Sequence, residues 1–367
     1  MDVLAQANRL KAQGHAVISM AVGQPSDPAP ERVCAAAAKA LRDGRIGYTD
    51  SLGLASLREA IAAHYLEHYG VTVAAERVVV TTGSSAAFNL AFLAMFDAGD
   101  RVAIAAPGYP AYRNILAALG VEIVEIELEG AGHLTAAHLA AAHRERPLKG
   151  VLFASPANPT GAIIPREDLE ELIAAADGMG ISVISDEIYH RLAYAAPDVT
   201  ALEFSDDAVV INSFSKYYCM TGWRIGWMVL PEALVRPVER IQQSLYISAP
   251  ELSQIAAIEA FAASAELDTV KGRYEANRAL LMRRLPELGF RIAAPMDGAF
   301  YAFCDVSGLT NDSMEFARRM LAETYVAATP GRDFDPLAGQ RYMRFSYAGS
   351  QEEMIEATDR LAKWLGK

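Results

Sequence analysis

Between about residues 48 and 261 the chain alternates short apolar runs with helical stretches, and this alternation constrains the fold more tightly than any other feature. The runs lie at 77–81, 100–106, 121–128, 149–154, 181–185, 208–211 and 227–230. Rich in Val, Ile and Ala, they read as strands buried on both faces, the habit of a parallel sheet with helices above and below. After a long connecting helix at about 267–288 the pattern changes. Short strands at 291–294 and 300–303 precede a helix at 313–324, the strand RYMRFSYA (341–348) and a closing helix with Met354, Ala357, Leu361 and Leu365 on one face. The expected class is α/β. A large domain (45–270) carries a mostly parallel sheet covered by helices on both faces, and both chain ends (1–44 and 271–367) make a smaller α+β domain.

With 367 residues, 52% of them hydrophobic, the chain can fill two such cores. Its net charge of -12 argues against nucleic acid or an anionic membrane as partner. Cys34, Cys219 and Cys304 are scattered without a C-x-x-C pair, which argues against zinc and fits a reducing cytoplasm. The N-terminus lacks a signal-like apolar core, and no apolar run approaches the ~18 residues of a membrane span, so a soluble, unexported protein is expected.

Chemistry-bearing residues cluster where the runs end, which is where open α/β sheets place ligands. Lys216 follows the run at 208–211. Ser213 and Arg224 flank it with a hydroxyl and a cation suited to an anionic group such as a phosphate. An amine that forms a Schiff base must shed its proton, and burial beside cations lowers a lysine pKa, so Lys216 and Arg224 are expected to act on each other. The alternative is a solvated lysine and an ordinary ion-pair arginine. Ser84 and Ser85 open a very apolar helix, either as backbone anion donors or with Ser84 as a cap. Tyr109 faces the cleft from PGYPAYRN, and two X-Pro steps in SPANPTG fix Asn158 as a directed donor. Asp186 ends a strand, either as a helix cap or as a functional carboxylate, with Tyr189 on its face if a helical turn follows. Arg344 shares a strand face with Ser346. His64 and His68 lie on the helix of Leu57, Ile61 and Tyr65. Without a third ligand they read as a solvated face rather than a metal pair.

The segment NSFSKYYCMTGWRIG (212–226), with N-P-T-G at Asn158 and D-E-I-Y at Asp186, resembles the class I/II aminotransferases, fold-type-I pyridoxal-phosphate enzymes. The resemblance spans nearly the whole chain, from Gly23 in GQPSDPAP and Tyr48 in Y-x-x-x-x-G to Arg344 in MRFSYA. It implies an amino acid:2-oxo acid aminotransferase in which Lys216 carries pyridoxal 5'-phosphate as a Schiff base and moves the Cα proton, with Asp186 and Tyr189 as its catalytic companions. Ser84, Ser85, Ser213 and Arg224 are then the phosphate's surroundings. Tyr109 stacks on the ring, Asp186 faces the ring nitrogen, and Tyr189 donates to the ring's phenolate oxygen. Asn158 serves both cofactor and substrate. Arg344, with Gly23, receives the substrate carboxylate, and Tyr48 reaches across a homodimer. The N-terminal arm is shorter than is usual in the family. A carbon–sulfur lyase or synthase of the same fold is the main alternative, and a non-catalytic ligand-binding domain a more distant one.

A dicarboxylic substrate needs a second cation, because an unpaired carboxylate entering a closed site meets a heavy desolvation cost. The loops at 23–28, 155–161 and 246–250 contain no Lys or Arg. Arg113, Arg191 and Arg332 are the remaining candidates, with Arg332 alternatively paired to Asp333 or Asp335. Donors with uncharged side chains are therefore expected, with glutamate or 2-oxoglutarate served in the other half-reaction through one of those arginines.

Overall fold

The computed structural model describes residues 2–44, 46–128 and 132–367; position 45, the expected start of the larger domain, lies outside them. Its strands are β1 (Ile18–Ser19), β2 (Val78–Thr81), β3 (Arg101–Ala106), β4 (Glu122–Glu127), β5 (Gly150–Ala154), β6 (Ser182–Asp186), β7 (Val209–Ser213), β8 (Gly226–Val229), β9 (Arg291–Ile292), β10 (Tyr301–Asp305), β11 (Val326–Ala327), β12 (Thr329–Pro330) and β13 (Tyr342–Ser346). A seven-stranded sheet runs β2-β8-β7-β6-β5-β3-β4. Only β8 is antiparallel to its neighbours, so the other strands all end at one edge.

The apolar runs are strands because both of their faces are buried. Val151, Phe153, Val183, Val210 and Trp227 enter one core, while Leu152, Ile184, Ile211 and Met228 enter a second with Phe88 and Phe92. Edge strand β4, EIVEIE, is only partly buried, and its glutamates discourage further pairing.

The chain ends meet. β1 pairs in parallel with β11, the antiparallel sheet β12-β13-β10-β9 gathers the late strands, and the Ser346 amide donates to the Met20 carbonyl at 2.7 Å. The helix Ser264–Glu287, 24 residues long, packs on the closing helix Gln351–Leu365, which starts with a Ser350/Glu353 capping box. No described helix is long and apolar enough to cross a membrane.

Candidate active site

Loops leaving the shared strand edge wall a cavity of about 280 Å³. Ten residues named from the sequence line it: Gly23, Ser84, Ser85, Tyr109, Asn158, Asp186, Tyr189, Lys216, Arg224 and Arg344. Tyr112, Ser215 and Tyr301 line it too, and sequence reasoning did not single them out.

The Lys216 amine donates to the Gly23 carbonyl at 2.6 Å. Gly23 is compact by necessity, since a Cβ there would strike the Tyr301 hydroxyl. Burial lowers the Lys216 pKa to about 8, aided by Arg344 and then Arg224, while Asp186 opposes the shift. The expected lowering by burial and Arg224 is present, with burial the larger cause and Arg344 adding more than Arg224.

Asp186, which lines the same cavity, ends β6, buried, with its Oδ1 accepting from the Ile188 amide at 3.1 Å and its Oδ2 from the Tyr112 hydroxyl. Burial raises this carboxyl to about 6, and those two hydrogen bonds keep it from rising further. No helix follows. The side chain closes an Asx turn instead, and Glu187 braces that turn by accepting from Ser185 Oγ, Thr200 Oγ1 and the Ala201 amide. The expected helical face joining Asp186 and Tyr189 is therefore absent. Tyr189 reaches the cavity through the turn, its hydroxyl 2.6 Å from that of Tyr301.

Another part of the cavity is built for an anion. The helix Gly83–Met95 begins after Thr82 without a side-chain cap, so Ser84 is no cap, and its first amides lack intrahelical partners. Gly83 has φ 72°, and a Cβ there would run into the Arg224 guanidinium. Arg224 adopts φ 50°, rare for a residue with a side chain, and is anchored by Nη1 to the Thr221 carbonyl at 3.1 Å. Ser213 does not line the cavity: it ends β7, where its Oγ accepts the Ser215 amide at 3.1 Å and lies 3.1 Å from the Ile225 carbonyl. Ser215 lines the cavity, and its hydroxyl accepts from that of Ser213 at 2.9 Å. Tyr48 is 82% exposed and lies outside the cavity of its own chain.

Arg344, on β13, is buried against the rings of Tyr301 and Phe334, with its guanidinium carbon 4.2 Å and 4.7 Å from their centroids. Nη2 donates to the Ala21 carbonyl and Nη1 to Asn158 Oδ1, both at 2.7 Å. A guanidinium only donates, so it must face the amide oxygen of Asn158, and the Asn158 NH₂ is left to serve the cavity. Arg344 Nε is buried without a partner. A second chamber of about 480 Å³ opens beside Arg344 and Tyr109; Val3, Leu4, Val22, Pro110, Met314 and Phe334 supply apolar wall, and Asp333 also lines it. Arg113 pairs with Glu125, Arg191 bonds the Tyr217 hydroxyl at 2.9 Å, and Arg332 is exposed; none lines either chamber.

His64 corrects another expectation. It is 7% exposed, stacked on His68 with centroids 5.5 Å apart, because the helix Ala55–Tyr69 buries a face wide enough to take in position 64 beside Ile61 and Tyr65. Burial, with the charges of His68 and Arg191, pushes its pKa down to about 3. No three His, Cys, Asp or Glu among the described residues are grouped to hold a metal.

This donor set fits pyridoxal phosphate: an amine with a lowered pKa, a carboxylate in the same cavity, a stacking tyrosine, and a helix start joined by an arginine whose approach only a glycine at 83 permits.

The profile of the family described as aminotransferase class I and II matches residues 15–361. The valine–pyruvate aminotransferase of Mycobacterium tuberculosis is 49% identical, over 100% of this chain and 95% of that protein. The aspartate aminotransferase of Streptomyces avermitilis is 34% identical, over 100% of this chain and 93% of its own length. A crystal structure of an aminotransferase from Mycobacterium tuberculosis superposes with a TM-score of 0.96 at 48% identity, covering 100% of this chain and 96% of that one.

Proposed function

This chain belongs to the aminotransferase class I and II family and is an amino acid:2-oxo acid aminotransferase; from that premise we propose that it works with pyridoxal 5'-phosphate held by Lys216, as a homodimer, on amino acids with uncharged side chains. The observation that carries this reading is the convergence on one cavity of the Lys216 amine, the Asp186 carboxylate, the uncapped helix start with Arg224, and Arg344. When bound, the cofactor supplies an electron-accepting ring for the charge left at the substrate's Cα. The Ser84 and Ser85 amides, the linked Ser213 and Ser215 hydroxyls and Arg224 would hold the phosphate. Tyr109 offers its ring as a stacking face, and Asn158 Nδ2 and Tyr189 Oη are donors to the ring's oxygen. Asp186, restrained by Tyr112, would face the ring nitrogen and keep a proton there. Lys216 Nζ removes the Cα proton. Arg344 takes the α-carboxylate, and Tyr48 of a second copy completes the phosphate site.

The chamber beside Arg344 supports the choice of side chain: Arg344 and Asp333 are its only charged lining residues among those described, so it offers no second cation. The name of the relative at 49% identity agrees with that choice, whereas that of the relative at 34% does not. The three free cysteines suit a reducing cytoplasm. We take 45–270 as the large domain and the two chain ends as the small one.

The test mixes cofactor-loaded protein with one amino donor at a time: alanine, valine, methionine, phenylalanine, aspartate or glutamate. Stoichiometric release of a 2-oxo acid with amination of the cofactor, fastest for neutral donors, is expected. A preference for aspartate over every neutral donor overturns the side-chain assignment. Ammonia released from cysteine or cystathionine, without cofactor amination by any donor, decides for a lyase.

A further inference from the structure

We propose that Phe334 sets both the grip on the substrate's α-carboxylate and the room for its side chain; this rests on the reading of Arg344 as the carboxylate site. Phe334 is 3% exposed and touches three parts of the site at once. Its ring centroid lies 4.7 Å from the Arg344 guanidinium carbon, which also packs against Tyr301 at 4.2 Å. Those two ring contacts restrain a group whose amino nitrogens already donate to Asn158 and Ala21 and whose buried Nε has no partner, so they limit how it can meet an incoming carboxylate. The Phe334 carbonyl accepts from the Gly108 amide at 3.1 Å and from Arg113 Nη2 at 3.4 Å, which ties it to the loop carrying Tyr109. The same ring walls the apolar chamber between Arg344 and Tyr109. The guanidinium's plane and the chamber's width therefore depend on one side chain, and a carboxylate seated on Arg344 places its Cα substituent against that ring.

The experiment uses the cofactor-loaded enzyme and its Phe334→Leu and Phe334→Tyr variants, each first checked for unaltered cofactor absorbance. Leucine stays apolar but loses the flat face. We expect Phe334→Leu to raise the KM for valine and alanine by about tenfold while kcat falls less than about threefold. The inhibition constant of isovalerate, which carries the carboxylate and branched chain of valine without its amine, rises by the same factor. Selectivity for phenylalanine over valine rises at least threefold as the chamber widens, and Phe334→Tyr, which restores a ring, returns KM to within about twofold of the parent. In an Arg344→Lys background, Phe334→Leu changes isovalerate binding by no more than about threefold, because the flat group it orients is gone and only its contact with the branched chain is lost. An unchanged isovalerate constant in Phe334→Leu, or the same tenfold loss with and without Arg344, overturns the inference, the latter by showing a general structural role. Loss of cofactor absorbance in both variants counts against it too, since the effect is then not confined to substrate. If Arg344→Lys alone leaves isovalerate binding intact, the carboxylate assignment of Arg344 fails first; an Arg344 effect without a Phe334 effect defeats only this inference.

Discussion

Asp186 is buried at a cost that the cofactor-free chain bears alone. Its carboxyl is raised by burial to about 6, so the folded chain holds the proton more tightly than the unfolded chain does. Stability contributed in the protonated form is therefore lost as pH rises from about 4 to about 6, by up to about 3 kcal/mol for two pKa units. Asp186→Asn should then make the cofactor-free protein more stable by about 1–3 kcal/mol at pH 7 and by little at pH 4, while weakening cofactor binding. Thermal unfolding at the two pH values checks the sign; a variant destabilised at pH 7 would contradict it. Lys216 gives the second residue-scale prediction. Only its neutral amine can attack a carbonyl, so with a pKa of about 8 cofactor uptake by the empty protein should quicken about tenfold per pH unit below 8 and level off above. A midpoint near the ordinary lysine value would refute the lowering by burial and Arg344. At this scale the sequence named the chemistry but not always the atom. In Ser213-Phe214-Ser215 the spacing cannot say which hydroxyl turns to the cavity, and only the strand end at Ser213 decides it. Nothing local in the sequence marks Tyr112 or Tyr301, because their cavity partners, Asp186 on β6 and Tyr189, lie 74 and 112 residues away along the chain.

The anion end is a property of an element, the helix Gly83–Met95 and the glycine that opens it. Gly83→Ala places a methyl against the Arg224 guanidinium and forces a left-handed φ on alanine. We expect a cofactor dissociation constant at least about tenfold higher, from a weakened charged hydrogen bond, with a further loss of roughly 1 kcal/mol in stability. Spectroscopic titration with pyridoxal phosphate measures the first, and unchanged affinity would show that Arg224 does not hold the phosphate. The long helices and buried strands were legible because each carries its own period or its own apolar run; 313–324 matches the helix Ser313–Thr324 residue for residue. The two-residue strands β11 and β12 were not, since pairing with β1 near the other end of the chain and with β13 defines them rather than any local pattern. His64 was assigned to water because helical spacing names the centre of a buried stripe but not its width.

On the scale of the whole molecule, the family and the parallel sheet were readable because strand ends and chemistry recur together along the chain, whereas contacts between copies leave little trace in one sequence. The exposed ring of Tyr48 has exposed Ile46 beside it on the same loop. The neighbouring loop, linked through Gly47 to Glu251 at 2.5 Å and Thr49 to Ser248 at 3.3 Å, follows exposed Leu245 and Ile247. We predict a homodimer that buries this apolar surface, with Tyr48→Phe weakening cofactor binding without dissociating the subunits. Sedimentation of a fully active monomer at assay concentration would contradict that. The central claim is that one amine, that of Lys216, holds the cofactor and moves the proton. Borohydride reduction of the purified yellow protein, followed by peptide mass spectrometry, tests it directly. We expect a single reduced pyridoxyl-phosphate adduct, on Lys216, absent from a Lys216→Ala variant whose turnover falls by about 10²–10⁴-fold; an adduct on any other lysine, or turnover undiminished in that variant, would refute the assignment.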